Sequence, residues 1–322
     1  MGVHCVYHRF HIQGALNENM FCASDIDTEQ KRSLFYKVQS FRQHKLNKKE
    51  DFNMDDCKPP FTITNKMLLY IGNISGKLGN INAQGSLSAK PHLRKNNQIR
   101  SVYSSLRIEA NTLSLSQVRD VINGRLVLGK QKEIQEVKNA YEAYEKISSV
   151  NPYSIDDLNT IHAVMTEYLV DESGCFRKGE EGVFDGDTCV FMAPSAKFVP
   201  DLMEQLFSWM NREKKNIHPL ILASVFHYEF VFIHPYEDGN GRMARLWHTA
   251  ILTKWMPIFE YISLESQIEK FQDEYYDAIA KSHIAGNSNI FIEFMLKQID
   301  DVLSSVVSEN TKDTGNADDL ES

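Results

Sequence analysis

A mainly α-helical protein with one small β-hairpin is the fold class this sequence predicts, and three observations predict it. From Pro60 onward, apolar residues recur at helical spacing in one segment after another. β-prone residues are confined to two short pieces, Gly182-Val183-Phe184 and Thr188-Cys-Val-Phe191, around the turn Asp185-Gly186-Asp187. One segment, 219–232, is apolar on nearly every side and reads as a core helix, and a second apolar helix follows it at 240–256.

Size and composition agree with a soluble globular protein. The 322 residues, 42% hydrophobic and 24% charged, suffice for one large or two modest domains with a buried core. No apolar run reaches the roughly 18–20 residues of a membrane span, and no compact apolar segment at the start reads as a secretory signal. Met1-Gly2 opens like a myristoylation site, but Val6 stands where Ser or Thr is needed. Five cysteines (Cys5, Cys22, Cys57, Cys175, Cys189), odd in number and without CxxC spacing, point to a reducing, cytoplasmic setting. A net charge of −8 argues against primary nucleic-acid binding, and the basic clusters at 45–49 and 94–100 read as solvated surface.

In chain order, residues 1–58 show little periodicity. His4, Cys5, His8 and His11 form only a weak zinc-like cluster. Met20 and Met54 are internal methionines, so the first ~19 or ~53 residues are expected to be a dispensable or mis-annotated extension. Thr64 can cap a helix running toward Ser75, with Gly72, Gly76 and Gly79 loosening the chain after it. Ile99, Val102, Tyr103, Leu106 and Ala110 predict an amphipathic helix over 98–110. Ser116 caps a short helix ending at Gly124, and a longer one covers about 130–147 with Ala140, Tyr141 and Tyr144 inward. After the Asn151-Pro152 break, Ser154 and Asp157 look like a capping box opening a helix to about Leu169. Beyond the hairpin, helices are predicted at about 198–211, 219–232, 240–256, 265–283 and 289–306, and the acidic tail from Glu309 is expected to be disordered.

The chemistry concentrates in His234-Pro-Tyr-Glu-Asp-Gly-Asn-Gly-Arg242 and Met-Ala-Arg245. Pro235 keeps His234 out of right-handed helical geometry. Gly239 and Gly241 let backbone N–H groups approach an anion at the positive end of the following helix. Asp238 is a hard oxygen ligand suited to Mg²⁺. Asn240 can donate to a phosphate oxygen, and Arg242 and Arg245, three apart, can fork onto phosphates. His234 is placed to take a proton near neutral pH. A phosphoryl or nucleotidyl transfer site follows.

The same stretch resembles the signature of the Fic (Fic/Doc) family, His-Pro-Phe-x-Asp/Glu-Gly-Asn-Gly-Arg-x-x-Arg, departing only at Tyr236, where an aromatic ring is kept. The resemblance extends over about 62–300 and implies a Fic-type helical bundle that transfers AMP from ATP to a Tyr, Thr or Ser hydroxyl of a target protein. It implies His234 as general base and Asp238 as Mg²⁺ ligand. Gly239, Asn240, Gly241, Arg242, Met243, Ala244 and Arg245 would form the phosphate-binding anion hole. Phe176-Arg177 and Gly182, Val183, Phe184, Asp185, Gly186 and Asp187 look like the family's flap, which docks a target segment as an added strand. Tyr275 and Tyr276 match a pair near the adenine pocket and read equally well as core aromatics. His283 stands where some members carry Asn.

Ser105 and Glu109, four apart on one helix face, resemble the family's inhibitory helix, Ser/Thr-x-x-x-Glu-Gly/Asn, with Ala110 in the position after Glu. The resemblance implies that Glu109 pairs with Arg245 and takes the guanidinium that should hold the ATP γ-phosphate. The implied organisation is an extension (1–58), an N-terminal helical region with the inhibitory helix at 98–111 (59–150), a catalytic core (151–307) and a disordered tail (308–322). Removal of AMP, another nucleotide donor, and a nucleotide-binding module without turnover stay open as alternatives, and a homodimer stays open by analogy.

Overall fold

The structure is a computed structural model that describes residues 58–83, 91–185 and 188–318. The extension expected at 1–58 and the His4–His11 cluster lie outside the described residues, Lys58 apart. Helices dominate as expected: α1 (Asn65–Ala83), α2 (Pro91–Ile108), α3 (Leu115–Ile122), α4 (Gln131–Glu145), α5 (Ile155–Thr166), α6 (Val199–Glu213), α7 (Pro219–Ile233), α8 (Asn240–Trp255), α9 (Leu264–Lys270), α10 (Gln272–Ala285) and α11 (Asn289–Asp318). Among the described residues the only sheet is an antiparallel hairpin of β1 (Gly182–Asp185) and β2 (Thr188–Met192). No described helix is long and apolar enough to cross a membrane.

The antiparallel pair α7 and α8 forms the centre. Every residue from Leu220 to Phe230 is buried, as is every residue from Arg242 to Thr253. A helix apolar on all sides is stable only when covered on all sides, and α6, α11, α5 and α2 supply that cover. Trp247, fully buried on α8, donates its indole N–H to the Pro152 carbonyl at 3.0 Å, which ties the core to the entry of α5.

Several boundaries differ from the expectation for identifiable reasons. α1 does not loosen at Gly72, Gly76 and Gly79 but runs to Ala83. Its apolar positions Met67, Ile74, Leu78 and Ile81 are buried and α1 packs along α11, so tertiary burial outweighs about 1 kcal/mol of helix propensity per glycine. The cap of α3 is Ser114 rather than Ser116. Its side chain accepts from Gln117 N while the Gln117 side chain accepts from Ser114 N, and only Ser114 has a partner three residues on that can close this box. Ser154 caps α5 as expected, but the Asp157 carboxylate accepts from Asn151 N, so the box is only half formed. The helix expected at 265–283 is broken at Phe271 (φ −118, ψ 42). Leu264, Ile268, Tyr275 and Ile279 keep one helical spacing across that break, which is why periodicity joins the two halves. The backbone of α11 continues as helix to Asp318.

The end of α2 bears directly on the site. The helix begins earlier than expected, at Pro91, and stops at Ile108, so Glu109 lies in the capping turn rather than in the helix. Asn111 N donates to Leu106 O and Ala110 N to Arg107 O, both at 3.0 Å, the paired bonds of a Schellman cap. Ala110 therefore occupies the left-handed position (φ 63) that normally takes glycine. Ala110→Gly is expected to raise stability by about 0.5–1 kcal/mol, read as a higher melting temperature.

Candidate active site

The loop joining α7 to α8 is built from backbone strain that its neighbours hold in place. His234 is indeed outside right-handed helical geometry, but in the left-handed region (φ 53, ψ 60) rather than the extended one. Such a residue costs about 1–3 kcal/mol and persists only where surroundings fix it. Here His234 N donates to Phe230 O at 2.9 Å, and Arg177 Nε donates to His234 O at 2.7 Å. His234 Nδ1 lies 3.4 Å from the Val231 carbonyl. A carbonyl only accepts, so Nδ1 is the donor in this contact, which in the neutral imidazole leaves the lone pair on Nε2.

The remainder of the turn is closed by Tyr236, Gly239 and Asn240. Tyr236 is buried, its ring lies 3.5 Å from and nearly parallel to that of His162, and its hydroxyl donates to Asn159 Oδ1 at 2.7 Å. The hydroxyl that distinguishes this chain from the phenylalanine pattern thus has a partner of its own. Asn240 Oδ1 accepts from Tyr236 N at 2.9 Å and its Nδ2 donates to Tyr236 O at 2.7 Å. Its amide thus staples the turn with one N–H and leaves the second N–H of Nδ2 for the phosphate-binding role expected of it. Gly239 is left-handed (φ 83), and a Cβ there would come within 3.1 Å of Thr166 Cγ2.

Charge is arranged in two pairs. Asp238 Oδ1 accepts from Gly239 N at 2.6 Å and from Arg242 Nη2 at 2.9 Å. Burial opposes ionisation of Asp238, but the Arg242 charge and hydrogen bond and the Gly239 N–H outweigh it and hold the carboxyl at about 2. Arg242 is buried, and its Nε and Nη1 have no hydrogen-bond partner. Orphaned, charged N–H groups at the start of a helix fit an anion. Asp238 is a hard carboxylate, and no group of three or more His, Cys, Asp or Glu among the described residues could hold a metal. That donor set suits a cation completing its shell with phosphate oxygens and water, as Mg²⁺ does.

The second pair joins α2 to α8. Arg245, 2% exposed, donates from Nε to Ser105 Oγ at 3.1 Å and from Nη2 to Ser105 O at 3.0 Å and Glu109 Oε1 at 2.8 Å. The Arg245 guanidinium is held more firmly charged than usual, because Glu109, Tyr275 and Tyr276 outweigh its burial. A Cβ at Gly241 would run into the Glu109 carboxylate, so the glycine admits that close approach. Tyr275 is buried, shares a hydrogen bond of 2.9 Å with His227 Nε2, and is pushed up to about 12 by burial, with Glu109 adding and Arg245 opposing. Tyr276 is likewise raised, by burial and Glu109. Ser105, Glu109, Arg245, Tyr275 and Tyr276 therefore meet at one place.

The hairpin pairs Gly182 with Met192, Val183 with Phe191, Phe184 with Cys189 and Asp185 with Thr188, with a bulge between Val183 and Phe184. Gly186 and Asp187 lie outside the described residues. Arg177 roots the hairpin in the site: besides His234 O, it donates to Gly179 O at 2.7 Å, Pro194 O and Ile233 O, while its backbone N–H donates to Pro235 O at 2.9 Å. His283 shares a hydrogen bond of 2.9 Å with Tyr228 OH and stacks on Phe191, 4.6 Å between ring centres. Sequence reasoning missed His162, Asn159 and Glu181. Each stands alone in its own segment and carries no local signal.

Glu181, at the hairpin root, has its carboxyl pushed up from 4.5 to about 7 by burial, with Glu237 and Asp238 adding and Arg177 opposing. A raised folded-state pKa makes its stabilising contribution complete below about 4.5 and lost as pH rises through about 7. Glu181→Gln is therefore expected to be stabilised relative to the unchanged protein more at pH 8 than at pH 4.5, in metal-free denaturation experiments at both values.

The family model described as Fic/DOC family matches residues 152–252. A crystal structure of a Fic family protein from Desulfovibrio desulfuricans G20 is 41% identical, covering 79% of this chain and 78% of that one at a TM-score of 0.75. Fic-1 from C. elegans shares the fold at 21% identity, covering 87% of this chain and 72% of that one at a TM-score of 0.56. Protein adenylyltransferase Fic of Nematostella vectensis is 29% identical over 257 residues, 76% of this chain and 57% of that one. The protein of the same description from Drosophila mojavensis is 30% identical over 176 residues, 52% of this chain and 34% of that one. The chain thus spans about half or less of the length of these two curated relatives.

Proposed function

The chain belongs to the Fic/DOC family, and on that footing we propose that it is a protein adenylyltransferase that moves AMP from ATP to a Tyr, Thr or Ser hydroxyl of a target protein and is held at rest by Glu109. The observation that carries this reading is the pairing of a basic His234 Nε2 with a buried, partly orphaned Arg242 across one glycine turn. His234 Nε2 accepts the proton of the target hydroxyl as its oxygen attacks the α-phosphorus. The bond from that phosphorus to the oxygen bridging to the β-phosphate breaks, and pyrophosphate leaves. Backbone N–H groups at the start of α8 and the free N–H groups of Arg242 hold phosphate oxygens. Asp238 would hold Mg²⁺, which when bound supplies charge neutralisation on the phosphates.

The edge of β1–β2 receives the target as an added strand, so register comes from main-chain bonds. Glu109 occupies Arg245 in the resting chain and keeps the γ-phosphate from it. The 59–150 region with its inhibitory turn, the 151–307 core, a reducing cytoplasmic setting and a homodimer belong to the same reading. Incubating the Glu109→Gly protein with Mg²⁺ and ATP labelled at the α- or the γ-phosphate tests it: label from the α-position alone is expected in protein. Label from the γ-position, equal use of every labelled nucleoside triphosphate, or no incorporation would instead favour phosphoryl transfer, another donor, or a binding module. Release of AMP from a modified target by the unchanged chain would assign Glu109 to the reverse reaction.

A further inference from the structure

We propose that His162 is the positioning residue of the Asp238–Gly239 turn, a buried imidazole that fixes the turn to the root of the hairpin. It rests on the nucleotide-transfer reading only for what the turn holds. His162 lies on α5, is 1% exposed, and takes no part in the steps above. Gly174 N–H donates to its Nδ1 at 2.9 Å, so Nδ1 carries the lone pair and the proton sits on Nε2. Nε2 then donates to the Asp238 carbonyl at 2.9 Å. A neutral ring in one tautomer thus bridges two backbone groups 64 residues apart in sequence, Gly174 and Asp238.

The ring cannot turn without breaking both bonds. Tyr236 stacks on it at 3.5 Å with 7° between the planes, and Tyr236 is itself bonded to Asn159 on the same helix. The Asp238 carbonyl belongs to the peptide that leads into left-handed Gly239, so holding it sets the direction of the N–H groups that open α8. On the other side, Gly174 (φ 76) packs so closely on α5 that a Cβ would lie 2.9 Å from Ala163 Cβ. Three residues later Arg177 grips the His234 carbonyl. One imidazole therefore joins the segment that leads into the docking hairpin to the turn that would hold phosphate. Partners at one remove from a ligand typically change affinity or activity by about 10–100-fold when removed.

Two substitutions in the full-length Glu109→Gly protein separate the two bonds. His162→Asn places an oxygen near the Nδ1 position, keeping the Gly174 bond and losing the donor to Asp238. His162→Gln places an amide nitrogen near Nε2, keeping the Asp238 bond and losing the acceptor for Gly174. Amide hydrogen exchange of the nucleotide-free proteins is expected to quicken about tenfold in 236–241 for the asparagine variant and in 173–177 for the glutamine variant, the factor one buried hydrogen bond corresponds to. ATP affinity by calorimetry is expected to fall about 10–100-fold for asparagine and to be largely kept by glutamine. Equal exchange in both segments for both variants, or no change in either, would overturn the proposal. Failure of the parent to incorporate AMP would sink the transfer reading alone, since the exchange pattern needs no nucleotide.

Discussion

Glu109→Gly is expected to raise AMP incorporation by about 10- to 100-fold over the unchanged chain, the factor for a competition worth about 1–3 kcal/mol. Arg245 is buried and its only carboxylate partner within 4 Å among the described residues is Glu109. A nucleotide that needs this guanidinium must displace Glu109, and the glycine variant removes that contest. Because residue 109 lies beyond the last turn of α2, glycine there disturbs no helix interior, and the melting temperature is expected to fall only by the loss of one charge-assisted bond to buried Arg245, about 1.5–3 kcal/mol. Increased incorporation with a loss no larger than that is the signature of released inhibition. Increased incorporation with a much larger loss of stability would instead indicate general loosening.

Adding His234→Ala to Glu109→Gly is expected to lower incorporation by about 10²–10⁴-fold, the range for removal of a general base. The alternative cause, collapse of the loop, is separable because His234 sits at φ 53. Asparagine tolerates that region better than alanine and offers no base at the Nε2 position. His234→Asn is therefore expected to be as inactive as His234→Ala. Substantial activity in the asparagine variant would show that the histidine shapes the loop and does not take the proton.

Much of this was legible in the sequence wherever the determining residues are neighbours in the chain. The stretch from His234 to Arg245 carries its own glycines, proline and charges, so the turn and the start of α8 follow locally, whereas the Asp238–Arg242 pairing at four-residue spacing is not expected from it, both groups being assigned there to the ligand. Ser105 and Glu109 were readable as one face, and both reach Arg245. What was not legible depends on partners far along the chain. His162 is one histidine on an amphipathic helix, and only the fold brings it to Asp238, 76 positions away. The closure of the Asn240 amide on both polar groups of the Tyr236 backbone also had no sign in the sequence. The persistence of α1 through three glycines is decided by α11, and the break at Phe271 leaves no trace in a periodicity that is continuous across it.

The central claim is that one guanidinium, that of Arg245, is held by Glu109 at rest and by the γ-phosphate when active. The most direct measurement is the ratio of ATP to ADP affinity, by calorimetry with Mg²⁺, for the unchanged chain, Glu109→Gly, and Glu109→Gly with Arg245→Ala. A ratio near one is expected in the first and third, and a preference for ATP of about tenfold or more in the second, as a charge-assisted bond worth about 1.5–3 kcal/mol provides. The same ratio in the unchanged chain and in Glu109→Gly would contradict the account.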